Sequence, residues 1–348
     1  MSGEGDRDLE LPPISYVWQT PVRKPRRAKW EIPDLTNPHT LTPAMRAKLQ
    51  RIVAQTPEVM VKITGKTKTI GHLKSHLEYI TRNGELAAET EVGAVMEGRH
   101  GLHDIQAQWA DDAALDASRR QDGPLSHNII LSMPPGTDPV AVKDAVRAFA
   151  IETFGGQHDY VFVQHLDDKH PHVHLTVRSL GYDGKRLNPR KADLATWREQ
   201  FAGELRLRGV EAEATPRRAR GKVRRAERGV VRTIRKRGEQ PRVERLAREE
   251  TVREARGNKI SAHQWDAKTR ERQMAIKEAY RRQAEELQRS VSAADRDLAT
   301  QVLQFVANMP EFETKRDRLL KELAKAISKT RPPQHGRDKE RGGPESER

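Results

Sequence analysis

Five of the thirteen histidines stand within seventeen residues: His158, His165, His170, His172 and His174. The densest part reads His165-Leu-Asp-Asp-Lys-His-Pro-His-Val-His174. His172 and His174 are two apart in a Val- and Thr-containing run, so on a strand both rings project from one face. His165 closes the preceding strand-like run, and a tight hairpin would bring it beside the pair. Three imidazoles on one patch of sheet make a facial ligand set with positions left for water or substrate. That is the arrangement of a catalytic metal site, not a closed structural one. The expected cofactor is a divalent metal, Mg or Mn: imidazole donors favour Mn²⁺ or other transition ions, and cellular abundance favours Mg²⁺. Surface histidines on a polar hairpin are the competing reading, which suits a lone His better than three sharing strand parity. A ligating His usually donates its second N–H to a carboxylate or carbonyl. Asp167, in the connecting turn, is given that acceptor role, with general base as the alternative. His170, just before Pro171, is left between a supporting role and none.

The chain has five tyrosines, Tyr16, Tyr79, Tyr160, Tyr182 and Tyr280. Tyr79 lies in His76-Leu-Glu-Tyr-Ile-Thr-Arg82, beside a stripe of Ile70, Leu73, Leu77 and Ile80 at helical spacing. A Tyr so placed is commonly half-buried packing. A phenol of pKa about 10 becomes a useful nucleophile only where a cation neutralises the attacked group and a base takes the proton.

These residues need elements to hold them. Val59–Ile63 reads as a strand, and Thr69–Arg82 as a helix stopped by Asn83-Gly84. Asn128–Ser132 is a second strand, ended by Pro134-Pro135. Asp138–Phe154 is an amphipathic helix with Asp138 as N-cap and Pro139 at its first position. Asp159–Gln164 and His172–Arg178 are strands, and Ala192–Arg208 is a helix. The order predicts an α+β fold, an antiparallel sheet with packed helices, followed by a helical basic extension.

Over the 348 residues the formal net charge is +14, with 35% hydrophobic and 33% charged residues. Typical globular chains are roughly 45–50% apolar and about 25% charged, so the core does not run the whole length. A field of this sign attracts polyanions, nucleic acid above all. With no cysteine, thiolate metal sites and a Cys nucleophile are excluded. No apolar stretch approaches the roughly 20 residues of a membrane span, and the N-terminus lacks a signal-peptide pattern. The expected domains are a Pro-rich, mostly disordered arm at 1–55 with a short helix at Pro43–Ala54, a compact catalytic domain at 56–213, a basic DNA-binding or linker segment at 214–260, a helical region at 261–330 and a disordered tail at 331–348. Residues 217–256 hold 16 Lys/Arg against 6 Asp/Glu. Arg217, Arg218, Arg220, Lys222, Arg224 and Arg225 are the expected phosphate contacts.

The pattern resembles the relaxase/mobilisation nuclease family of His-hydrophobic-His endonucleases, in the branch containing the T-DNA border endonuclease. His165-x-Asp167-x-x-His170-Pro-His172-x-His174 is similar to that branch's metal motif at every defined position. Thr69–Gly84, with Leu77, Tyr79, Arg82 and Gly84, looks like its nucleophile motif, and Ser126–Pro134, with His127 and Ser132, like the strand between. His127 is thereby given an uncertain supporting role near the metal. Ala214–Gly221 resembles a segment that follows the nuclease domain in one subgroup. The resemblance covers roughly 57–240 and implies a DNA relaxase. Tyr79 would attack one strand at a plasmid transfer origin, leaving a 5′-phosphotyrosyl bond and a free 3′-hydroxyl for conjugative transfer. The implied partners are single-stranded or locally melted DNA, accessory relaxosome proteins and the coupling protein of a type IV secretion channel. The implied location is the donor cytoplasm, with translocation alongside DNA to the recipient. A replication initiator or transposase of the same superfamily is a weaker reading, because those usually place the tyrosine after the His motif. A non-catalytic DNA-binding mobilisation accessory protein is another, against which the intact three-His set with Tyr79 argues.

Overall fold

A computed structural model describes residues 14–18, 41–222, 229–256, 264–311 and 313–330. Most of the 1–55 arm and the 331–348 tail, with the disorder expected of them, lie outside the described residues. The chain divides into two units, one of residues 1–221 and 276–308, the other of 222–275 and 309–348. This differs from the expected linear division. Helices assigned to a separate C-terminal region contribute residues 276–308 to the first unit.

In the first unit the order is α1 (Ile14–Trp18), α2 (Pro43–Val53), β1 (Met60–Thr67), α3 (Ile70–Thr81), β2 (Ala88–Thr90), β3 (Val95–Met96), α4 (Gly98–Leu115), β4 (Ser126–Ser132), α5 (Pro139–Phe154), β5 (Tyr160–His165), β6 (His172–Arg178) and α6 (Lys191–Leu207). A 3₁₀ turn follows at Arg217–Arg220. Then come α7 (Gly229–Lys236), α8 (Arg242–Arg256), α9 (Gln264–Gln288), α10 (Ala293–Ala307) and α11 (Lys315–Thr330). Among the described residues, no helix is long and apolar enough to cross a membrane.

The sheet order is β1-β4-β6-β5-β2-β3, and every pairing is antiparallel. This is the expected α+β class. The spacer after Tyr79, given no elements by the sequence, supplies β2, β3 and α4. Because strand side chains alternate, each strand feeds two cores. Ile129, Leu131, Tyr160, Phe162, Val173, Leu175 and Val177 pack with Phe149 of α5 and Phe201 of α6. On the other face Val161 and Val163 pack with Leu73, Leu77 and Ile80 of α3 and with Leu102, Ile105 and Trp109 of α4. The first set is the larger, and its fully buried rings Phe149, Phe154 and Phe201 are of the kind whose truncation costs about 3–5 kcal/mol.

Local signals set the helix ends. Asp138 accepts from Val140 N at 3.0 Å and Ala141 N at 3.4 Å, satisfying amides that α5 cannot. Thr69 caps α3 through His72 N at 3.2 Å. At the other end Arg82 and Asn83 are left-handed (φ 52° and 57°), and Gly84 follows at φ 91°. A Cβ on Gly84 would lie 2.6 Å from the carbonyl carbon of Gly98, so this turn admits only glycine and brings the end of α3 against the start of α4. Tyr280 on α9 is fully buried; its hydroxyl accepts from Trp18 Nε1 at 3.1 Å and donates to the Ala219 carbonyl at 2.7 Å. Arg46 pairs with Asp295 at 3.0 Å. These contacts draw residues 276–308 into the first unit.

Candidate metal and nucleophile site

The β5–β6 hairpin pairs His165 directly with His172, and His174 stands opposite Val163. The His165 ring centroid lies 4.5 Å from that of His174 and 5.2 Å from that of His172, and those of His172 and His174 are 5.3 Å apart. One nitrogen from each ring falls within 4.8 Å of the other two. His165 and His174 are buried and His172 half-buried. Burial, reinforced by its imidazole neighbours, pushes the His174 pKa down to about 3. His165 is also held below the usual value, by burial first, against the pull of the Ile80 carbonyl. Rings kept neutral in this way present lone pairs, as metal binding requires.

Two of the rings meet backbone carbonyls through one nitrogen each. His165 Nε2 lies 2.7 Å from Ile80 O, and His172 Nδ1 lies 2.9 Å from His170 O. A carbonyl only accepts, so each of those nitrogens carries the proton, and the opposite nitrogen holds the lone pair. The donor set therefore fits a divalent cation held by three histidines.

The acceptor role given to Asp167 is corrected by these bonds. Asp167 Oδ1 stays 3.8 Å from His165 Nδ1, and its other oxygen pairs with the Arg82 guanidinium. Desolvation would raise the Asp167 pKa, but the Arg82 hydrogen bond and charge hold it below the carboxylate range. The His170 ring is exposed, and what this residue supplies is its carbonyl.

Tyr79 reaches the cluster from α3. Its ring is 5.9 Å from His174, edge-on, and 6.4 Å from His165, with 56% of the residue exposed. The Arg82 guanidinium carbon sits 5.4 Å from the Tyr79 ring centroid. Arg82 thus touches both Tyr79 and Asp167, tying the end of α3 to the hairpin turn. One turn back, His76 Nε2 lies 2.9 Å from Thr176 Oγ1, fixing α3 over β6. Sequence reasoning noted Arg82 only as part of a motif and gave His76 no role. The sole available signal was the turn spacing of His76, Tyr79 and Arg82 on one helix.

His127 does not join them. The register sets Ile130 opposite His174 and His127 opposite Val177, so His127 points to the other face of the sheet. There it is fully buried, with Nδ1 3.1 Å from Ser179 Oγ. Burial, helped by Lys66 and His158, lowers its pKa to about 4, and burial alone lowers that of His76 to about 4. In the unfolded chain both titrate near 6.5. The unfolded state therefore gains protons that the folded state refuses, and stability falls as pH drops from about 6.5 through 4. Urea unfolding at pH 7.0 and 4.5 is expected to differ by about 2 kcal/mol for each such buried ring. His127→Gln should flatten that difference, and an unflattened slope would contradict this origin.

The basic residues are dispersed. Arg217 is exposed and Arg218 half-buried on the 3₁₀ turn. Arg220 is turned inward, its Nε 2.7 Å from Glu58 Oε1, so this residue is corrected from phosphate contact to structural ion pair. Lys222 is exposed, and Arg224 and Arg225 lie outside the described residues.

Residues 79–205, opening on the tyrosine and spanning the hairpin, match the family model described as relaxase, MobA/VirD2-like, nuclease domain. The match to a relaxase nuclease domain covers this stretch of the chain. The chain is 31% identical over 191 residues to the T-DNA border endonuclease VirD2 of Rhizobium radiobacter, covering 47% of this chain and 43% of the relative. With the protein of that name from Agrobacterium fabrum (strain C58 / ATCC 33970) the identity is 30% over 201 residues, covering 50% and 41%. The chain thus spans less than half the length of these relatives. A solved structure described as "Molecular Basis of Vancomycin Resistance Transfer in Staphylococcus aureus" aligns with a TM-score of 0.31 and 14% identity, over 46% of this chain and 98% of that one. The matched region places its three histidines and Tyr79 on one side of the sheet, where α3 meets the β5–β6 hairpin.

Proposed function

We propose that this protein is a DNA relaxase that cuts one strand at a plasmid transfer origin and remains joined to the cut end through Tyr79. The approach of Tyr79 to within 5.9 Å of His174, inside a three-histidine cluster, carries this reading. His165, His172 and His174 would hold a divalent metal, Mg or Mn, which supplies Lewis-acid stabilisation of the attacked phosphate. The Tyr79 hydroxyl forms the new O–P bond, and the bond from phosphorus to the 3′-oxygen breaks. The products are a 5′-phosphotyrosyl end and a free 3′-hydroxyl. Asp167, with its carboxylate 3.8 Å from the His165 ring, is the proposed acceptor of the phenol proton, and Arg82 positions both groups. Tyr79 needs an accessible ring to meet DNA, and its exposure provides that.

Arg217, Arg218 and Lys222 are the proposed phosphate contacts of a basic segment that follows the nuclease domain. The proposed setting is the donor cytoplasm, with relaxosome accessory proteins and a secretion coupling protein as partners. The test is a denaturing gel. Incubation with Mn²⁺ and an oligonucleotide bearing the transfer-origin nick site should give a protein–DNA adduct that survives denaturation. DNA cut without any adduct would leave a hydrolytic nuclease and defeat the relaxase reading. Arg82→Ala is expected to slow adduct formation by about tenfold or more through misplacement of Tyr79, since a shift of about 1 Å can cost 10²-fold. A wild-type rate in single-turnover assays would remove Arg82 from the site.

A further inference from the structure

The sheet face that carries the histidines is not evenly covered. Over β5 and β6 it lies beneath α3, through the His76–Thr176 and Tyr79–His174 contacts. Beyond β6 the covering thins. On β1, Lys62 and Thr64 are exposed and Met60 is 44% exposed, while Ile130 of β4 is half-buried. On the opposite face of these strands Val61, Ile129 and Leu131 are at most 1% exposed. β1 is thus sealed on one side and exposed on the side of the candidate metal site, whereas on that side of β4 Ile130 is half-buried and Asn128 and Ser132 are buried.

Strand register connects that floor to the histidines. Lys62 pairs with Ile130, and Ile130 pairs with His174. Met60 pairs with Ser132, Ser132 with His172, and His172 with His165. Two rows of side chains therefore run across the sheet from the cluster to its β1 edge. Adjacent strands are about 4.8 Å apart, so the Lys62 and His174 Cα atoms are separated by roughly 10 Å. A lysine stem reaches several ångströms further, which places the ammonium within the span of neighbouring phosphates on one DNA strand. Lys62 has no ion pair among the described residues.

We propose that the exposed β1 edge of this face, with Ile130 beside it, is the track for the single strand beside the scissile phosphate, with Lys62 holding a neighbouring phosphate and Ile130 and Met60 underlying the bases. The proposal rests on the nuclease reading above. Single-stranded DNA is favoured as occupant because the floor offers a cation in line with the cluster, apolar Ile130 between them and exposed Met60 at the edge, matching a backbone with splayed bases. The exposed His72 and Ser75 on α3 add polar groups along one side.

The test measures binding of a fluorescein-labelled dT 12-mer by anisotropy, from 50 to 300 mM salt, on the full chain. Lys62→Gln should reduce the slope of log affinity against log salt by about 0.7 and weaken binding by about fivefold at 0.1 M salt, the effect of one lost phosphate contact on single strands. Lys62→Arg should restore both. Lys191→Gln, an equal charge loss at the exposed start of α6, should change neither. A slope unaltered in Lys62→Gln, or lowered equally in Lys191→Gln, would overturn the track and assign the floor to another occupant. The adduct assay separates the two readings: a wild-type adduct with an unaltered Lys62→Gln slope sinks the track alone, whereas no adduct on any oligonucleotide sinks the nuclease reading as well.

Discussion

Tyr79→Phe is expected to abolish the protein–DNA adduct while leaving DNA binding within about twofold of wild type. The substitution removes one oxygen from a ring that is 56% exposed, so the packing of α3 against the sheet is untouched. Leu73, Leu77 and Ile80, which bury that helix, all remain. What is lost is the proposed nucleophile, and three other tyrosines are not placed to substitute for it. Tyr160 is buried on the face of the sheet that packs against α5 and α6. Tyr182 is engaged with Glu91, and Tyr280 is enclosed with Trp18 and Phe305. Loss of a covalent nucleophile typically costs many orders of magnitude in rate, so the adduct band should vanish rather than fade. Peptide mapping of the wild-type adduct should place the nucleotide on Tyr79. An adduct that forms at wild-type rate in Tyr79→Phe would refute this nucleophile, and labelling at Tyr160 or Tyr182 would replace it.

The second large effect concerns the cation. Excess EDTA should abolish adduct formation, and adding back Mn²⁺ should restore it. In the absence of DNA, Mn²⁺ should raise the melting temperature of the wild-type protein, because an ion that binds only the folded state stabilises it by mass action. His172→Ala should lose both responses. His172 is half-buried, so its removal leaves the sheet core intact while deleting one of three nitrogens. The melting shift is the sharper reading, since it reports binding without activity. Nicking that persists in excess chelator would defeat the metal assignment. A melting shift retained in His172→Ala would move the ion elsewhere.

Much of this site was legible because its chemistry is local. The two-residue step from His172 to His174 fixes their common face on any strand, and the short turn from His165 to His172 leaves little but a hairpin. The apolar stripe of α3 likewise fixes which side of that helix Tyr79 occupies. Other parts were hidden for physical reasons. Strand β2 has three residues and β3 two, too few for a period to register, and α4 opens Gly-Arg-His-Gly without a side-chain cap. The burial of residues 276–308 with the first unit depends on Tyr280 meeting Trp18 and Ala219, contacts no local pattern encodes.

The sequence by itself determined the residue types, the shared strand face of His172 and His174, the helix of Tyr79 and the antiparallel α+β class, because each depends on neighbours within a few residues. Only the tertiary structure decided the face of His127 and the partner of Asp167. A one-residue change of register turns a strand's side chains to the other side, and β4 shows no alternation that would fix its register in advance: six of its seven residues are buried, whichever face they take. Pairing Ile130 with His174 settles the matter and sends His127 to the far core. Asp167 finds Arg82 across 85 residues of sequence, and the histidine protons go to carbonyls of Ile80 and His170, which every residue possesses and no motif can mark.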